Sequence, residues 1–335
     1  MKRLAKRKRL TKKQREQRLK GTIGLVIVLL IFLSGYLVGR KDITLQAILD
    51  KFEDVGSRFE RQIGDINLTS RGDKQNTDGL SQIHILDVGQ GSSVLLIGRD
   101  DTSILIDTGR YDDSKKRIIS YLDSYIGLGN KIDLLIFTHN DADHIGHGDL
   151  VLEFFDVKEV WMNGVDSTSK VYANVLDAIL QSDAAYAEPK AGESFTRGVF
   201  NIEVLHPAPN SPGKDANDES IVTRIAFDDL SFMTSGDASI ARENEIIDRG
   251  GQLTSNIMML GHHGAANSGG EKWLNAVRPE LVFYQAGVNN SYGHPTQETL
   301  DRVKDFGSPV YGTDELGTIS IYIDEVGEVS VETER

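Results

Sequence analysis

The stretch FTHNDADHIGH, residues 137–147, places three histidines and two aspartates within nine positions, directly after an apolar run. The apolar run is typical of a buried strand. Histidine is the commonest neutral metal ligand near neutral pH, and ligands collect where strands end in open sheets. The stretch therefore predicts a metal-binding loop at the end of a strand.

The spacing within this loop suggests two metal positions rather than one. His139 and Asp141 are two residues apart, so in extended backbone they share a face, whereas Asp143 and His144 are adjacent and diverge toward a second point. Two divalent ions ~3.5–4 Å apart form a clamp suited to in-line displacement at phosphorus.

The remaining ligands are expected further along the chain, each after a predicted strand. They are His206 in LHP, Asp237 in SGDA, and either His262 or His263 in GHHG. His206 would complete the first site and one of the adjacent histidines the second. Asp237 could bridge both ions, because each carboxylate oxygen can bind one of them.

Short strand-like runs with interspersed helices dominate the chain from residue 81 onward. Helices are predicted near 115–126, 169–182, 270–277 and 296–305, and the segment VTRIAF-DD-LSFMTSGDA predicts a hairpin. Strands precede helices in both halves. This order predicts an α/β fold in which two sheets form a sandwich with helices outside.

Nine ordered segments resemble the metallo-β-lactamase fold superfamily, and in particular the extracytoplasmic hydrolase domain of ComEC-type competence (DNA-uptake) proteins. They cover about residues 81–323 and are LDVGQGSSVLL, ILIDTG, THNDADHIGH, LHP, NDESIVTRI, MTSGDA, MLGHHGAANS, NNSYGHPTQETL and YGTDELGTISI. The resemblance implies an αββα sandwich with two mixed sheets and outer helices. It also implies a binuclear metal-dependent hydrolase, with phosphodiesters, DNA first among them, as substrate.

The resemblance also implies a role for each matching residue. His139, Asp141 and His206 would bind one metal, Asp143 and His144 with His262 or His263 the other, and Asp237 would bridge them. Asp107 would support the metal loop, His294 would line the pocket, and Gln90 and Asn217 would face the same mouth. Asp143 and His294 are the candidate catalytic residues, and a loop histidine such as His294 could stabilise charge or protonate the leaving group.

Two positions depart from the family pattern. Ser92 stands where an acid is common, which puts a substrate contact in doubt, and His147 stands where glycine is common. We expect His147 to be a solvent-exposed loop side chain rather than an added ligand. His84, on an alternating strand, is not expected to bind metal, and Trp161 and Trp273 are expected in the core.

The amino-terminal region predicts a membrane anchor. Residues 1–20 hold 11 Lys/Arg and one acid, and residues 21–39 form an uncharged run of 19 residues. A helix of this length spans a bilayer, and the basic head is expected to stay cytoplasmic. The alternative is a cleaved secretory signal, but YLVGRKD lacks a clear cleavage site. Residues 81–335 would then be the extracytoplasmic hydrolase domain.

Residues 40–80 are predicted to connect the anchor to this domain. Residues 43–63 carry a helical apolar stripe, which suits either a self-associating stalk or a helix lying on the membrane. Residues 67–79 are polar and rich in turn residues and predict a linker.

The composition constrains the chemistry further. The chain has no cysteine, which excludes thiolate metal sites and a cysteine nucleophile. Asp141 makes the site richer in oxygen, so manganese is a candidate beside zinc. The basic head leaves a net charge of −23 on the rest of the chain. That charge disfavours a generic DNA binder and keeps a cell-wall phosphodiesterase, of the teichoic-acid or choline-phosphate type, as an alternative. A membrane-tethered binding subunit with structural metals is the non-enzymatic alternative.

Overall fold

The computed structural model describes residues 68–70, as backbone only, together with residues 79–211, 215–324 and 327–335. The predicted basic head (1–20), anchor (21–39) and stalk (43–63) lie outside these residues. None of the helices in the described part of the chain combines the length and the apolar character that crossing a bilayer requires.

The strands are short, and most are buried. In chain order they are β1 (Leu68–Ser70), β2 (Ser81–Ile85), β3 (Val94–Ile97), β4 (Ser103–Ile106), β5 (Lys131–Ile132), β6 (Leu134–Ile136), β7 (Asp156–Val157), β8 (Glu159–Trp161), β9 (Ala185–Ala187), β10 (Ser194–Arg197), β11 (Phe200–His206), β12 (Val222–Phe227), β13 (Leu230–Thr234), β14 (Ile257–Met259), β15 (Leu281–Tyr284), β16 (Val310–Gly312), β17 (Ile319–Ile323) and β18 (Val329–Thr333).

The helices connect the strands in both halves of the described chain. They are α1 (Arg117–Ile126), α2 (Gly148–Phe154), α3 (Lys170–Gln181), α4 (Ile240–Arg249), α5 (Glu271–Val277), α6 (Gln297–Phe306) and α7 (Thr313–Leu316), with a short 3₁₀ segment at Gly261–Gly264. Side-chain caps begin two of them, since Ser169 accepts from the Tyr172 amide and Thr296 accepts from the Thr299 amide.

Two mixed sheets organise the described residues. The first has the order β1-β18-β17-β2-β3-β4-β6-β8-β9, and the second has the order β10-β11-β12-β13-β14-β15-β16. Strands β4, β6, β8 and β9 run parallel, as do β13 to β16, while the strands between β17 and β4 and between β10 and β13 pair antiparallel. β5 and β7 form a small parallel pair of their own.

Each sheet packs helices against one face. Helices α1 to α3 cover the first sheet, where Leu122, Phe137 and Val175 are fully buried. Helices α4 to α6 cover the second sheet around Trp273 and Val303. Every residue of β2, β3, β4 and β6 is buried, so these strands are covered on both faces. The sheets therefore form the interior of a sandwich with helices outside, as the sequence predicts.

The predicted hairpin and four helices are also present, with ends within two residues of the prediction. Val222–Phe227 and Leu230–Thr234 pair through a turn at Asp228 and Asp229. Trp161 and Trp273 are 0% and 1% exposed, as predicted for core residues. The helix Ile240–Arg249 was not predicted, because its sequence IARENEIIDR is rich in charged residues and has only a narrow apolar face.

A buried carboxylate ties α4 to the start of α5. Glu243 is 1% exposed, and its two oxygens accept from the Gly269 amide at 2.7 Å and the Gly270 amide at 2.8 Å. Burial raises the pKa of the Glu243 carboxyl to about 7, against the two amides and Arg302, which lower it. The folded chain therefore holds this proton more tightly than an unfolded chain does.

This shift predicts a pH-dependent stability. The pKa of Glu243 rises from 4.5 to about 7 on folding. Ionisation in the folded state therefore costs stability as the pH rises through that interval, by on the order of 3 kcal/mol. Urea unfolding of the wild-type chain and of Glu243→Gln, both with chelator, should show the wild type losing more free energy of unfolding between pH 5 and 8. Parallel pH profiles would contradict the assignment.

Candidate metal centre

The predicted metal-binding residues follow the carboxyl ends of strands from both sheets. Asp107 follows β4 and His139 follows β6, which are parallel neighbours in the first sheet. Asp237 follows β13, and His262 and His263 follow β14, its parallel neighbour in the second sheet. Because parallel neighbours end at the same edge, each sheet delivers its polar residues to one side.

Backbone hydrogen bonds fix the metal loop against the loop after β4. The Gly146 amide donates to the Gly109 carbonyl at 2.9 Å, and the Tyr111 amide donates to the Ala142 carbonyl at 3.0 Å. A Cβ atom on Gly146 would lie 2.1 Å from the Tyr111 nitrogen. Only glycine allows this approach, so the sequence HIGH serves loop packing as well as any chemistry.

Asp107 is the buried acceptor on which the metal loop depends. Its Oδ1 accepts from the Thr138 amide, and its Oδ2 accepts from Thr138 Oγ1, both at 2.8 Å. The His144 Nδ1 lies 2.7 Å from the same Oδ2. A carboxylate on Nδ1 leaves Nε2 with its lone pair, which is how metal-binding histidines are commonly oriented. Asp107 also has a φ of 60°, a left-handed conformation that is costly for a non-glycine residue.

Asp107→Asn is therefore expected to weaken metal binding ~10–100-fold, because the amide cannot accept from all three donors and His144 loses its orientation. Competition with a chromogenic chelator would measure the affinity. Asp123→Asn, on the exposed face of α1, is the matched control. An unchanged affinity in a folded Asp107→Asn chain would contradict the supporting role.

Two groups of side chains could each hold an ion, and they share one histidine. The first group is His139, His144 and Asp237, and the second is Asp143, His144 and His263. Within each group the ligand atoms lie within 4.8 Å of one another. His144 Nε2 is 3.2 Å from Asp237 Oδ1, and His263 Nε2 is 3.4 Å from Asp143 Oδ2.

The structure separates the two adjacent histidines. Both His262 and His263 have left-handed backbone, with φ of 51° and 55°. His263 joins Asp143 and His144, and its Nδ1 lies 2.9 Å from the Gln285 carbonyl. His262 is in neither group, and its Nε2 faces the first one, 3.6 Å from Asp237 Oδ2. Of the two alternatives left open by the sequence, His263 is the one that lies in the second group.

Four buried ligand atoms in these groups have no hydrogen-bond partner among the described residues. They are His139 Nε2, His144 Nε2, His263 Nε2 and Asp237 Oδ1. Unsatisfied buried polar atoms are rare in folded proteins and call for a further partner such as an ion. Three imidazole nitrogens and a carboxylate oxygen form a donor set that zinc or manganese fits.

The electrostatics of the centre favour a cation. Burial lowers the pKa of His144, but the carboxylates of Asp237 and Asp107 outweigh burial and raise it well above its ordinary value. Burial likewise opposes ionisation of Asp237, yet His144 and His139 hold its pKa well below the usual range. Burial, together with the charge of His144, lowers the pKa of His139 to about 4, so this ring is neutral at pH 7 with a lone pair available.

The structure does not bring His206 into either group. Its Nε2 lies 2.8 Å from the Asp218 carbonyl, and its Nδ1 is buried without a partner in the described residues. Burial lowers its pKa to about 4, and the charged residues that affect it are Glu219 and two arginines of α4, not the metal group. A register shift between Val204 and His206 on β11 accompanies this position, and such bulges re-aim side chains.

The other predicted site residues lie around the two groups. Asp141 Oδ2 is 3.8 Å from His139 Nε2, and half of its side chain is exposed. Burial raises the pKa of Asp141. Gln90 Oε1 accepts from the Gly287 amide at 3.1 Å, and Asn217 lies in the turn 215–220.

His294 lies beside His262, with ring centroids 5.5 Å apart. Its Nδ1 is buried without a partner in the described chain, and burial, followed by His262, lowers its pKa. His84 is buried between Gln82 and Ser320, each 2.9 Å from one ring nitrogen, as expected for a structural residue.

Three features escaped the sequence analysis. Gln285 is buried and accepts from Ser92 Oγ and the Ser93 amide at 3.1 Å, which ties Ser92 to the site. Thr138, directly before His139, donates two hydrogen bonds to Asp107. Nothing in the sequence distinguishes this threonine from other polar residues. His147 was expected to be exposed, and this was wrong: it is 5% exposed because it begins α2, with Nε2 3.2 Å from the Asp113 carbonyl.

Comparison with known families shows which family the chain belongs to. The model of the metallo-beta-lactamase superfamily matches residues 86–284, more than half of the chain, including both groups of ligands. The chain belongs to the metallo-beta-lactamase superfamily. The predicted family and the sandwich of mixed sheets are thereby confirmed, while the predicted transmembrane helix lies outside the described residues.

Three curated relatives are ComEC-type competence proteins, as the sequence resemblance predicts. ComE operon protein 3 of Bacillus subtilis is 28% identical over 75% of this chain and 34% of its own length. Competence protein ComA of Neisseria gonorrhoeae is 27% identical over 71% and 31%, and recombination protein 2 of Haemophilus influenzae is 26% identical over 74% and 29%. The chain thus spans about a third of the length of these metallo-beta-lactamase relatives.

The solved structures that are similar to this chain have lower sequence identities. The metallo-beta-lactamase fold protein YhfI from Bacillus subtilis is 12% identical, with a TM-score of 0.46 over 69% of this chain and 96% of its own. CmlA, a diiron beta-hydroxylase from Streptomyces venezuelae, is 15% identical, with a TM-score of 0.45 over 69% of this chain and 52% of its own.

Proposed function

We propose that the chain is a phosphodiesterase that depends on two divalent ions. The observation that carries the proposal is the convergence of four buried, unpartnered ligand atoms from His139, His144, His263 and Asp237. His139 and Asp237 would hold one ion with Asp141 beside them, and Asp143 and His263 would hold the other. His144 belongs to both groups of possible ligands.

Two such ions supply an acidified water and positive charge opposite a phosphoryl group. Zinc and manganese both suit the donors, and the added carboxylate of Asp141 favours manganese more than an all-imidazole set would. His206 remains a predicted ligand of the first ion. The free nitrogen for this role is its buried Nδ1, which has no partner among the described residues, although the structure places His206 in neither group.

The chain's own residues supply orientation and a proton. The buried Nδ1 of His294 has no partner among the described residues, and its ring centroid is 5.5 Å from that of His262, whose Nε2 is 3.6 Å from Asp237 Oδ2. We propose that His294 hydrogen-bonds the substrate and delivers a proton to the leaving oxygen. Gln90 and Asn217 would contact the substrate from the loops after β2 and before β12.

Nucleic acid is the leading substrate class. Two of the relatives are named as a competence protein and a recombination protein, and recombination acts on DNA. The net charge of −23 beyond the basic head supports a second candidate, a cell-wall phosphodiester of the teichoic-acid or choline-phosphate type, because an acidic body repels long polyanions.

The purified full-length chain would test this function. Metal content would be measured first, followed by hydrolysis of single-stranded DNA, duplex DNA, RNA, bis-p-nitrophenyl phosphate and p-nitrophenyl phosphorylcholine, with and without chelator. We expect chelator-sensitive hydrolysis that zinc or manganese restores. Bound metal without hydrolysis of any diester would instead favour a binding subunit with structural ions.

We further propose that residues 21–39 anchor the chain with its amino terminus in the cytoplasm and the catalytic domain outside, and that residues 43–63 self-associate. The chain has no cysteine, so Ser194→Cys, on the exposed start of β10, creates a single thiol. A membrane-impermeant maleimide should label it on intact cells. Labelling only after lysis would contradict this topology.

A further inference from the structure

An exposed aromatic ring lies at the mouth of the candidate metal centre. The side chain of Tyr292 is 54% exposed, so its ring is available to a ligand. Arg110 Nη1 donates to Tyr292 Oη at 3.1 Å, and the guanidinium carbon lies 5.9 Å from the ring centroid. We call Tyr292 and Arg110 the mouth platform.

Histidine rings connect the mouth platform to the metal-binding carboxylate. The rings of Tyr292 and His294 are 6.2 Å apart between centroids, and their planes differ by 11°. The ring centroids of His294 and His262 are 5.5 Å apart, and His262 Nε2 is 3.6 Å from Asp237 Oδ2. A ligand with a phosphate at the centre would therefore extend its neighbouring group over the platform.

The loop that carries Tyr292 is held in place before any ligand binds. Asn290 Oδ1 accepts from the Tyr292 amide at 3.1 Å and from the His294 amide at 3.2 Å. Asn290 Nδ2 donates to the Gly287 carbonyl at 3.0 Å and also to the His294 carbonyl. On the other side, the loop of Arg110 is bonded to the metal loop through Gly109 and Tyr111. A preformed platform costs little ordering when a ligand binds.

The chemistry of the platform selects its ligand. A flat ring beside a guanidinium suits a nucleobase, which stacks on aromatic and arginine planes alike. A quaternary ammonium, as in choline phosphate, also binds aromatic faces, but the Arg110 charge already lies close to this ring and would repel it. Bases of a duplex are paired and stacked internally and do not offer a free face, so the ring fits an unpaired base.

We propose that Tyr292, supported by Arg110, stacks an unpaired nucleobase next to the scissile phosphate and so makes single-stranded nucleic acid the preferred substrate. This proposal rests on the proposed function, because it assigns the phosphate to the metal centre. Tyr292 is a specificity-determining residue and takes no part in bond cleavage. Asn290 is a positioning residue that acts through Tyr292 and His294.

The test compares a 12-residue oligothymidylate with an abasic oligomer of the same length. Both offer phosphodiesters, but only the first offers bases. For the wild-type full-length chain we expect kcat/KM on the oligothymidylate to be ~5- to ~150-fold higher, the range that stacking of one base provides. Tyr292→Ala should reduce this ratio to less than about twofold, and Tyr292→Phe should keep most of it, since every aromatic face can stack.

Tyr186→Ala is the matched control, because Tyr186 is 46% exposed and lies on β9, at the far edge of the first sheet. It should leave both substrates and their ratio unchanged. An unchanged ratio in Tyr292→Ala, no preference for bases in the wild type, or preference for a duplex of the same sequence would each overturn the proposal. So would selective hydrolysis of p-nitrophenyl phosphorylcholine that depends on Tyr292.

Failure of the proposed function would be visible separately, as no hydrolysis of any diester, including bis-p-nitrophenyl phosphate, by the metal-loaded chain. In that case, the binding of an oligothymidylate would test the stacking role of Tyr292. Fluorescence anisotropy of a labelled oligothymidylate should show weaker binding to Tyr292→Ala than to wild type or Tyr186→Ala. Equal binding by all three chains would remove the stacking role.

Discussion

Asp237→Ala is expected to empty the position that Asp237 shares with His139, to weaken the other through their common His144, and to abolish hydrolysis. The carboxylate lies between the rings of His139, His144 and His262, at 3.8, 3.2 and 3.6 Å. It is buried, and it supplies the negative charge that balances this cluster. Its loss should lower kcat at least ~10³-fold, the scale of several kcal/mol that metal ions contribute.

Metal content by mass spectrometry and hydrolysis of bis-p-nitrophenyl phosphate would be measured on the same preparation. Asp177→Ala, on the exposed face of α3, is the control for loss of a carboxylate. Circular dichroism would confirm that Asp237→Ala is folded. Two bound ions with full turnover in this variant would refute a shared centre.

The second large effect concerns the two aspartates of the metal loop. Asp141 lies 3.8 Å from His139 and Asp143 lies 3.4 Å from His263, so each variant damages a different side of the centre. Asp141→Ala and Asp143→Ala are each expected to lower kcat by ~10³-fold, because hydrolysis needs both sides at once. Combining them should add little, since residues that act as a unit are non-additive.

Initial rates with zinc or manganese in excess would be measured for the wild type, both single variants and the double variant. Asp156→Ala, an exposed aspartate at the start of β7, is the control. Two losses that multiply independently, or near-normal kcat in either single variant, would show that the loop does not form one two-ion centre.

The local pattern of the metal loop was enough to predict its neighbourhood. His139, Asp143 and His144 are close in sequence, and the strand before them fixes where they lie, so their convergence needed little knowledge of the fold. Asp237 was predicted from its place after a strand-like run, and Asp107 was predicted by the family resemblance. What the sequence could not provide was the direction of each distant side chain.

His206 and the pair His262/His263 illustrate that limit. His206 ends a strand, as the ligands do, but the register shift on β11 and the Asp218 carbonyl give its ring another partner. His262 and His263 are adjacent and chemically identical. Both have a left-handed backbone conformation, and they differ in the direction that the folded chain gives each ring. Backbone irregularities of this kind depend on contacts between distant segments, and residue spacing does not reveal them.

His147 and Glu243 show the same limit for burial. A histidine in a glycine-rich loop and a glutamate in a charged helix both suggest exposed side chains. The ring of His147 lies against the Asp113 carbonyl, and the carboxylate of Glu243 accepts from two glycine amides. In each case the partner is backbone from a loop whose course the sequence does not specify.

The centre draws its ligands from both sheets, since His139 follows a strand of the first and Asp237 a strand of the second. An ion bound by both residues would cross-link the two sheets of the sandwich. By mass action, a free ion concentration 100 times its dissociation constant would stabilise the folded, ion-bound domain by ~2.7 kcal/mol. Metal supply would then govern how much of the domain survives proteolysis, so metal starvation would lower the amount of protein as well as its activity.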